Sequence, residues 1–136
     1  MRKLILLAVL LSPASAFAEQ YLCLAEKAVG FKYFDNQKNW ASSDFDSGSK
    51  YTLSNSSGSF LLRSPNFEEP LATCGDFNEA GVINCDGWVH FVFNKKSGRF
   101  TESHQGSYHL VGSELFPKDG VEVPTPSVSI GKCTFI

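Results

Sequence analysis

The sequence predicts an all-β fold, a small antiparallel barrel or sandwich of about eight short strands stapled by disulfides. Three observations carry that prediction. Aromatic and β-branched residues recur with period two in short runs, each bounded by Gly, Pro, Asn, Asp or Ser. No stretch holds a convincing helical apolar period, and there is no internal repeat. All four cysteines lie downstream of an N-terminal export signal.

That signal occupies residues 1–18. Arg2 and Lys3 form a positive n-region, residues 4–11 (LILLAVLL) an apolar h-region, and Ala16-Phe17-Ala18 the small-x-small end that a signal peptidase reads. The apolar run is too short for a spanning helix, which needs about 20 residues, so no membrane span is expected after cleavage. Gln20-Tyr21-Leu22 lacks the small residues a lipobox places before its cysteine, so Cys23 is not expected to be lipidated. Removing 18 of the 136 residues leaves 118, residues 19–136, enough for a single β-rich domain with its own core and expected to be monomeric. Without Arg2 and Lys3, ten basic residues face fourteen acidic ones, a net charge of −4. The bases are scattered, with Lys95-Lys96 the sole adjacent pair, and this excludes the basic patch that nucleic acid or an anionic membrane demands.

Cys23, Cys74, Cys85 and Cys133 form an even set in an exported chain and read as two disulfides. Zinc is the competing use, but no C-x-x-C pair occurs and no histidine stands at ligand spacing from a cysteine. Three pairings are open to the sequence. The arrangement taken as the expectation joins Cys74 to Cys85 as a local clasp and Cys23 to Cys133 between the first and last strands.

Residues 20–26 (QYLCLAE) alternate as a first strand, with a short helix over 19–28 as the alternative. Residues 29–35 (VGFKYFD) follow, and the polar turn 36–39 before Trp40 predicts a hairpin that closes an aromatic pair. Residues 41–50 (ASSDFDSGSK) read as turn; Asp44, Asp46 and Gly48 miss calcium-loop spacing, since Ser49 and Asn55 stand where glycine and glutamate are required. Residues 50–54 and 59–63 flank NSSG as a second hairpin, and Pro65 and Pro70 mark 64–70 as a loop in which Glu68 and Glu69 are solvated surface. The most apolar run is 88–94 (WVHFVFN), read as a strand with Trp88, His90 and Val92 on one face and Val89, Phe91 and Phe93 on the other. Lys95-Lys96-Ser97-Gly98 is a hairpin loop returning into 99–103. Residues 107–112 (SYHLVG) offer another strand, 117–126 a long polar loop, and 127–135 (SVSIGKCTF) a final strand patterned by Val128 and Ile130.

Little in this pattern points to a reaction. No G-x-S-x-G elbow is present, and cysteine nucleophiles are excluded once the disulfides form. His90, His104 and a carboxylate such as Glu102 offer a conceivable zinc or copper site, without a recognised ligand spacing, so neither metal nor cofactor is expected. Two surface features are candidates for binding instead. Trp40 and Trp88 could line an aromatic surface. Asp76, Phe77, Asn78 and Glu79 would form an acidic partner loop pinned between Cys74 and Cys85, beside a hairpin over 82–100 that serves as scaffold.

Three stretches, YLCLAEKAVGFKYFDNQKNW, FVFNKKSGRF and PSVSIGKCTFI, resemble a loose group of short exported bacterial and phage-associated proteins. The resemblance implies a bacterial periplasmic setting and Cys23 and Cys133 as framework positions. That group has no established activity, so no catalytic residue is carried over. In size and architecture the chain is also similar to periplasmic lysozyme inhibitors, which are small disulfide-tied β-barrels, although no inhibitor loop motif is present. The expectation is therefore a non-enzymatic binding or protective module acting on a protein or cell-envelope partner. The alternative is a small metal-dependent or hydrolytic enzyme.

Overall fold

A computed structural model describes residues 18–56, 58–115 and 125–136. Most of the expected signal peptide and most of the 117–126 loop lie outside the described residues.

Nine strands form one antiparallel sheet: β1 (Gln20–Phe34), β2 (Asn39–Phe45), β3 (Lys50–Ser56), β4 (Ser59–Arg63), β5 (Ala72–Cys74), β6 (Val82–Gly87), β7 (His90–Asn94), β8 (Arg99–His104) and β9 (Ser127–Phe135). β3 to β9 pair in succession, and β1 bonds to both β3 and β9, so eight strands close into a barrel. Closure leaves those strands without free edges. Among the described residues no helix is long and apolar enough to cross a membrane.

β1 is too long for one barrel wall, and it changes partners along its length. Gln20 to Leu24 pair with β3, whereas Ala28 to Phe34 pair with β2. The switch coincides with a bulge against β9, where Ala25 faces Gly131 and Lys27 faces Ile130, leaving Glu26 as the extra residue. A bulge bends and re-aims its strand, and here it lifts the β1–β2 hairpin past the barrel rim. The expected aromatic closure of that hairpin is present: Tyr33 faces Trp40, with ring centroids 5.7 Å apart.

Alternate side chains point inward to form the core. Tyr21, Cys23, Leu53, Leu62, Ile83, Cys85, Phe91, Phe93 and Phe100 are all buried. Burying a large apolar side chain of this kind contributes about 1.5–3 kcal/mol. Phe91 stacks on Phe100 at 5.0 Å, and both meet the edge or face of Tyr51 at about 6 Å. Gly131 makes room for this layer, since a Cβ there would sit 2.7 Å from Phe100 Cε1 and collide with the Leu24 carbonyl oxygen. Both disulfides, Cys23–Cys133 and Cys74–Cys85, join directly facing residues of neighbouring strands, in the expected pairing.

The expected first strand over 20–26 lies within β1, as its β-forming residues favour, and the helical alternative over 19–28 is not adopted. Three elements depart from expectation. Residues 41–45 belong to β2, so the turn is confined to 46–49. Residues 107–112 are not a strand; Tyr108–Leu110 is a 3₁₀ turn, set between Gly106 and Gly112, both at positive φ. Trp88 and Val89 are the turn between β6 and β7 rather than the start of a strand. Gly87 lets the β4–β5 loop close on that turn, because any Cβ there would meet the Leu71 carbonyl, and Trp88 N donates to the same oxygen at 2.8 Å.

The final strand is located as expected. Val128 and Ile130 point outward, and Ser129, Gly131 and Cys133 point inward.

Candidate functional site

The barrel has one closed and one open end. The closed end gathers the start of β1, the end of β9, the 95–98 turn and the 75–81 loop. The candidate partner loop therefore serves as a plug. Phe77 turns inward against Tyr21, Phe60 and Phe93, with centroids 5.3–6.0 Å away, and Lys95 Nζ lies 4.4 Å above its ring. Asn78 folds the loop on itself, its Oδ1 accepting from Val82 N at 2.9 Å, while Lys96 Nζ donates to the Glu79 carbonyl at 3.0 Å. Asp76 and Glu79 keep their side chains in solvent. The Tyr21 hydroxyl donates to Glu19, and burial together with that carboxylate pushes the Tyr21 pKa far above its ordinary value.

At the other end the wall opens into a cavity of about 820 Å³. Its floor is polar. Among the described residues Glu102 of β8 and Ser129 of β9 are the buried polar ones, and Glu102 is only 4% exposed. The Tyr51 hydroxyl of β3 lies 3.5 Å from Glu102 Oε2, a long contact. Desolvation raises the Glu102 pKa despite the Ser129 hydroxyl, His104 and Tyr51, each of which favours the charged form. Tyr51 is raised in turn, first by burial and then by the Glu102 charge. The rim is aromatic and acidic: Phe45, Phe67, Trp88, Asp46, Glu68 and Glu69 all border the opening. Trp88 is 78% exposed and Phe67 62%, unusually so for such large apolar side chains.

The sequence-derived candidates divide between these places. Trp88 stands on the rim, whereas Trp40 lies elsewhere, packed between Tyr33 and Tyr108 on the β1–β2 extension with its indole nitrogen buried and without a hydrogen-bond partner among the described residues. The two tryptophans thus do not form one aromatic surface. Nor do His90, His104 and Glu102 converge. His90 faces Ser103 on the outside of the wall, Glu102 points inside, and among the described residues no group of three metal-ligating side chains comes together. His90 Nδ1 is held 2.6 Å from Asp86 Oδ1 on the outer face. Asp86, His90 and Ser103 therefore occupy facing positions on three adjacent strands. No hydrogen bond joins His90 to Ser103 among the described residues, and the carboxylate is largely solvated, so the arrangement lacks the coupled nucleophile and base that acyl transfer needs.

Phe45, Tyr51, Phe67 and Ser129 were not singled out by the sequence. They come from a strand end, a strand, a loop and the last strand, and only barrel closure gathers them. Comparison with models of protein families, with curated proteins and with solved structures returns no match.

Proposed function

We propose that the chain is an exported, non-enzymatic binding or protective module of the bacterial periplasm, which engages a protein or cell-envelope partner by receiving an apolar group in the open mouth of its barrel. The observation that carries this reading is the mouth itself: a cavity of about 820 Å³ bordered by exposed aromatics and floored by a buried carboxylate. Mouths of β-barrels are common ligand sites, and cavities of roughly 300–1,000 Å³ suit small ligands or single inserted groups. The two disulfides and the export signal support an oxidising compartment.

Titration of the oxidised protein with the neutral apolar dye N-phenyl-1-naphthylamine tests the reading. Saturable fluorescence enhancement is expected, weakened about tenfold when Trp88 and Phe67 are both replaced by Ala. Replacing Asp76 and Glu79 by Ala should leave it unchanged. Absence of saturable uptake, or loss with the Asp76/Glu79 variant alone, contradicts the proposal. Osmotic-shock fractionation with thiol alkylation checks the compartment: release into the periplasmic fraction with blocked cysteines is expected, and a cytosolic protein with free thiols is the opposite result.

A further inference from the structure

Resting on that reading of the mouth, we propose that its occupant is an organic cation, an ammonium group carried on an apolar body of small-molecule size. Asp46, Glu68, Glu69 and Glu102 line the cavity, and among the described residues no Lys or Arg does, His104 being the sole basic group. The chain is not short of bases, with 12 Lys and Arg against 14 Asp and Glu, so the lining is far more one-sided than the composition. Clefts lined by one sign of charge concentrate ligands of the other.

A buried carboxylate is ordinarily paired with a cation or fully hydrogen-bonded. Glu102 is more than nine-tenths buried, aims into the cavity, and makes no salt bridge among the described residues; the same is true of the salt-bridge status of Asp46, Glu68 and Glu69. The groups facing it are the Tyr51 hydroxyl from β3, His104 on its own strand and Ser129 from β9, while β7 presents the apolar ring of Phe91. None of these is a permanent cation. The Ser129 and Tyr51 hydroxyls bond to the carboxyl but leave its ionised form without a counter-charge, which an ammonium group at the floor supplies.

Phe45, Phe67 and Trp88 offer ring faces above an acidic floor, and aromatic faces attract ammonium groups while covering the attached hydrocarbon. An anionic amphiphile of the same shape meets four carboxylates and no permanent cation, so it is rejected. Because desolvation favours the protonated form of Glu102, an arriving cation must displace that proton, and affinity rises with pH as Glu102 ionises.

Calorimetric titration of the oxidised protein with octylammonium, octanoate and octanol separates charge from apolar burial. Octylammonium is expected to bind one site at least about tenfold more tightly than either of the others. Glu102→Gln should abolish that preference while keeping the octanol affinity, and the exposed pair Glu68→Gln/Glu69→Gln should reduce it severalfold without touching the core. The wild-type preference for octylammonium over octanol should shrink as pH falls and Glu102 takes up its proton, while octylammonium stays charged. Equal binding of all three probes, or preference for octanoate, overturns the cation proposal and leaves the mouth as a general apolar site. No saturable binding of any probe overturns both readings.

Discussion

The two ends of this barrel share eight strands and differ in what fills them. At the closed end Phe77 is folded inward among Tyr21, Phe60 and Phe93, and the loop that carries it is tied down by Asn78 and Lys96. At the open end the inward positions turn polar. β8 runs from Phe100 to Glu102 to His104, β9 reads back from Cys133 through Gly131 to Ser129, and β3 runs from Leu53 to Tyr51. The same strands therefore bury hydrocarbon at one end and a carboxylate at the other. An apolar, self-satisfied interior stabilises the fold, whereas an interior acid without a permanent cation costs stability, and such costs concentrate at functional sites.

The sharpest way to break the comparison is to remove what both ends depend on. Replacing Cys23 and Cys133 by Ala opens the β1–β9 seam, and the chain-entropy relation gives a loss of about 4–5 kcal/mol for that long loop against about 3 kcal/mol for Cys74 and Cys85. Urea unfolding of each variant measures the two losses; equal losses would show that loop length does not govern them. Phe77→Ala should cost about 2–3 kcal/mol, toward the low end for a large core truncation because the ring is only partly buried. Dye uptake at the mouth should survive it, since plug and mouth lie at opposite ends. A variant that loses both would mean the ends are coupled.

Glu102→Gln should act in the opposite direction. Burial lifts the folded-state pKa of Glu102 above its unfolded value, so in the window between the two the native state holds a proton that the unfolded state has released. Stability contributed at this site therefore falls as pH rises through that window, and the full penalty stands above it. The variant should be more stable than the parent at neutral pH, with the gain vanishing below about pH 4. Thermal unfolding at both pH values checks the sign; a destabilised variant at neutral pH would mean that the carboxylate is structural. The smallest expected effect on stability belongs to Trp88→Ala, within about 0.5 kcal/mol, because the side chain is mostly in solvent. Its effect should appear in binding alone.

The fold was largely legible because period-two runs and turn residues are local signals. The hairpin at 95–98 needs only Gly98 at positive φ and Asn94 to accept from Lys96 N and Ser97 N. Facing was less legible. Val128 and Ile130 mark β9 as a strand but lie outside, since the bulky Phe100 and Tyr51 rings leave room within only for Ser129, Gly131 and Cys133. Apolar content alone does not reveal which face of β9 turns inward. Trp88 adjoins an apolar run and so reads as the start of β7, yet it lies in the turn before it, where Gly87 lets the Leu71 carbonyl approach. The site was less legible still. Glu102 sits in RFTES, read only as the returning arm of a hairpin, and its burial depends on a register that pairs it with Phe91 and Ser129. The sequence offers Glu102 only as a metal ligand with His104, which shares its cavity, and His90, which lies on the outer face, and Phe67 and Phe45 carry no sequence signal for a rim.

The central claim is that binding belongs to the open end and not to the disulfide-clasped loop. Amide chemical-shift mapping of the ¹⁵N-labelled, oxidised protein during titration with octylammonium tests it residue by residue. The account predicts saturable shifts at Ser49, Tyr51, Phe67, Trp88, Glu102, His104 and Ser129, with residues 75–81 unmoved. Shifts gathered at 75–81 while the mouth stays silent would contradict it.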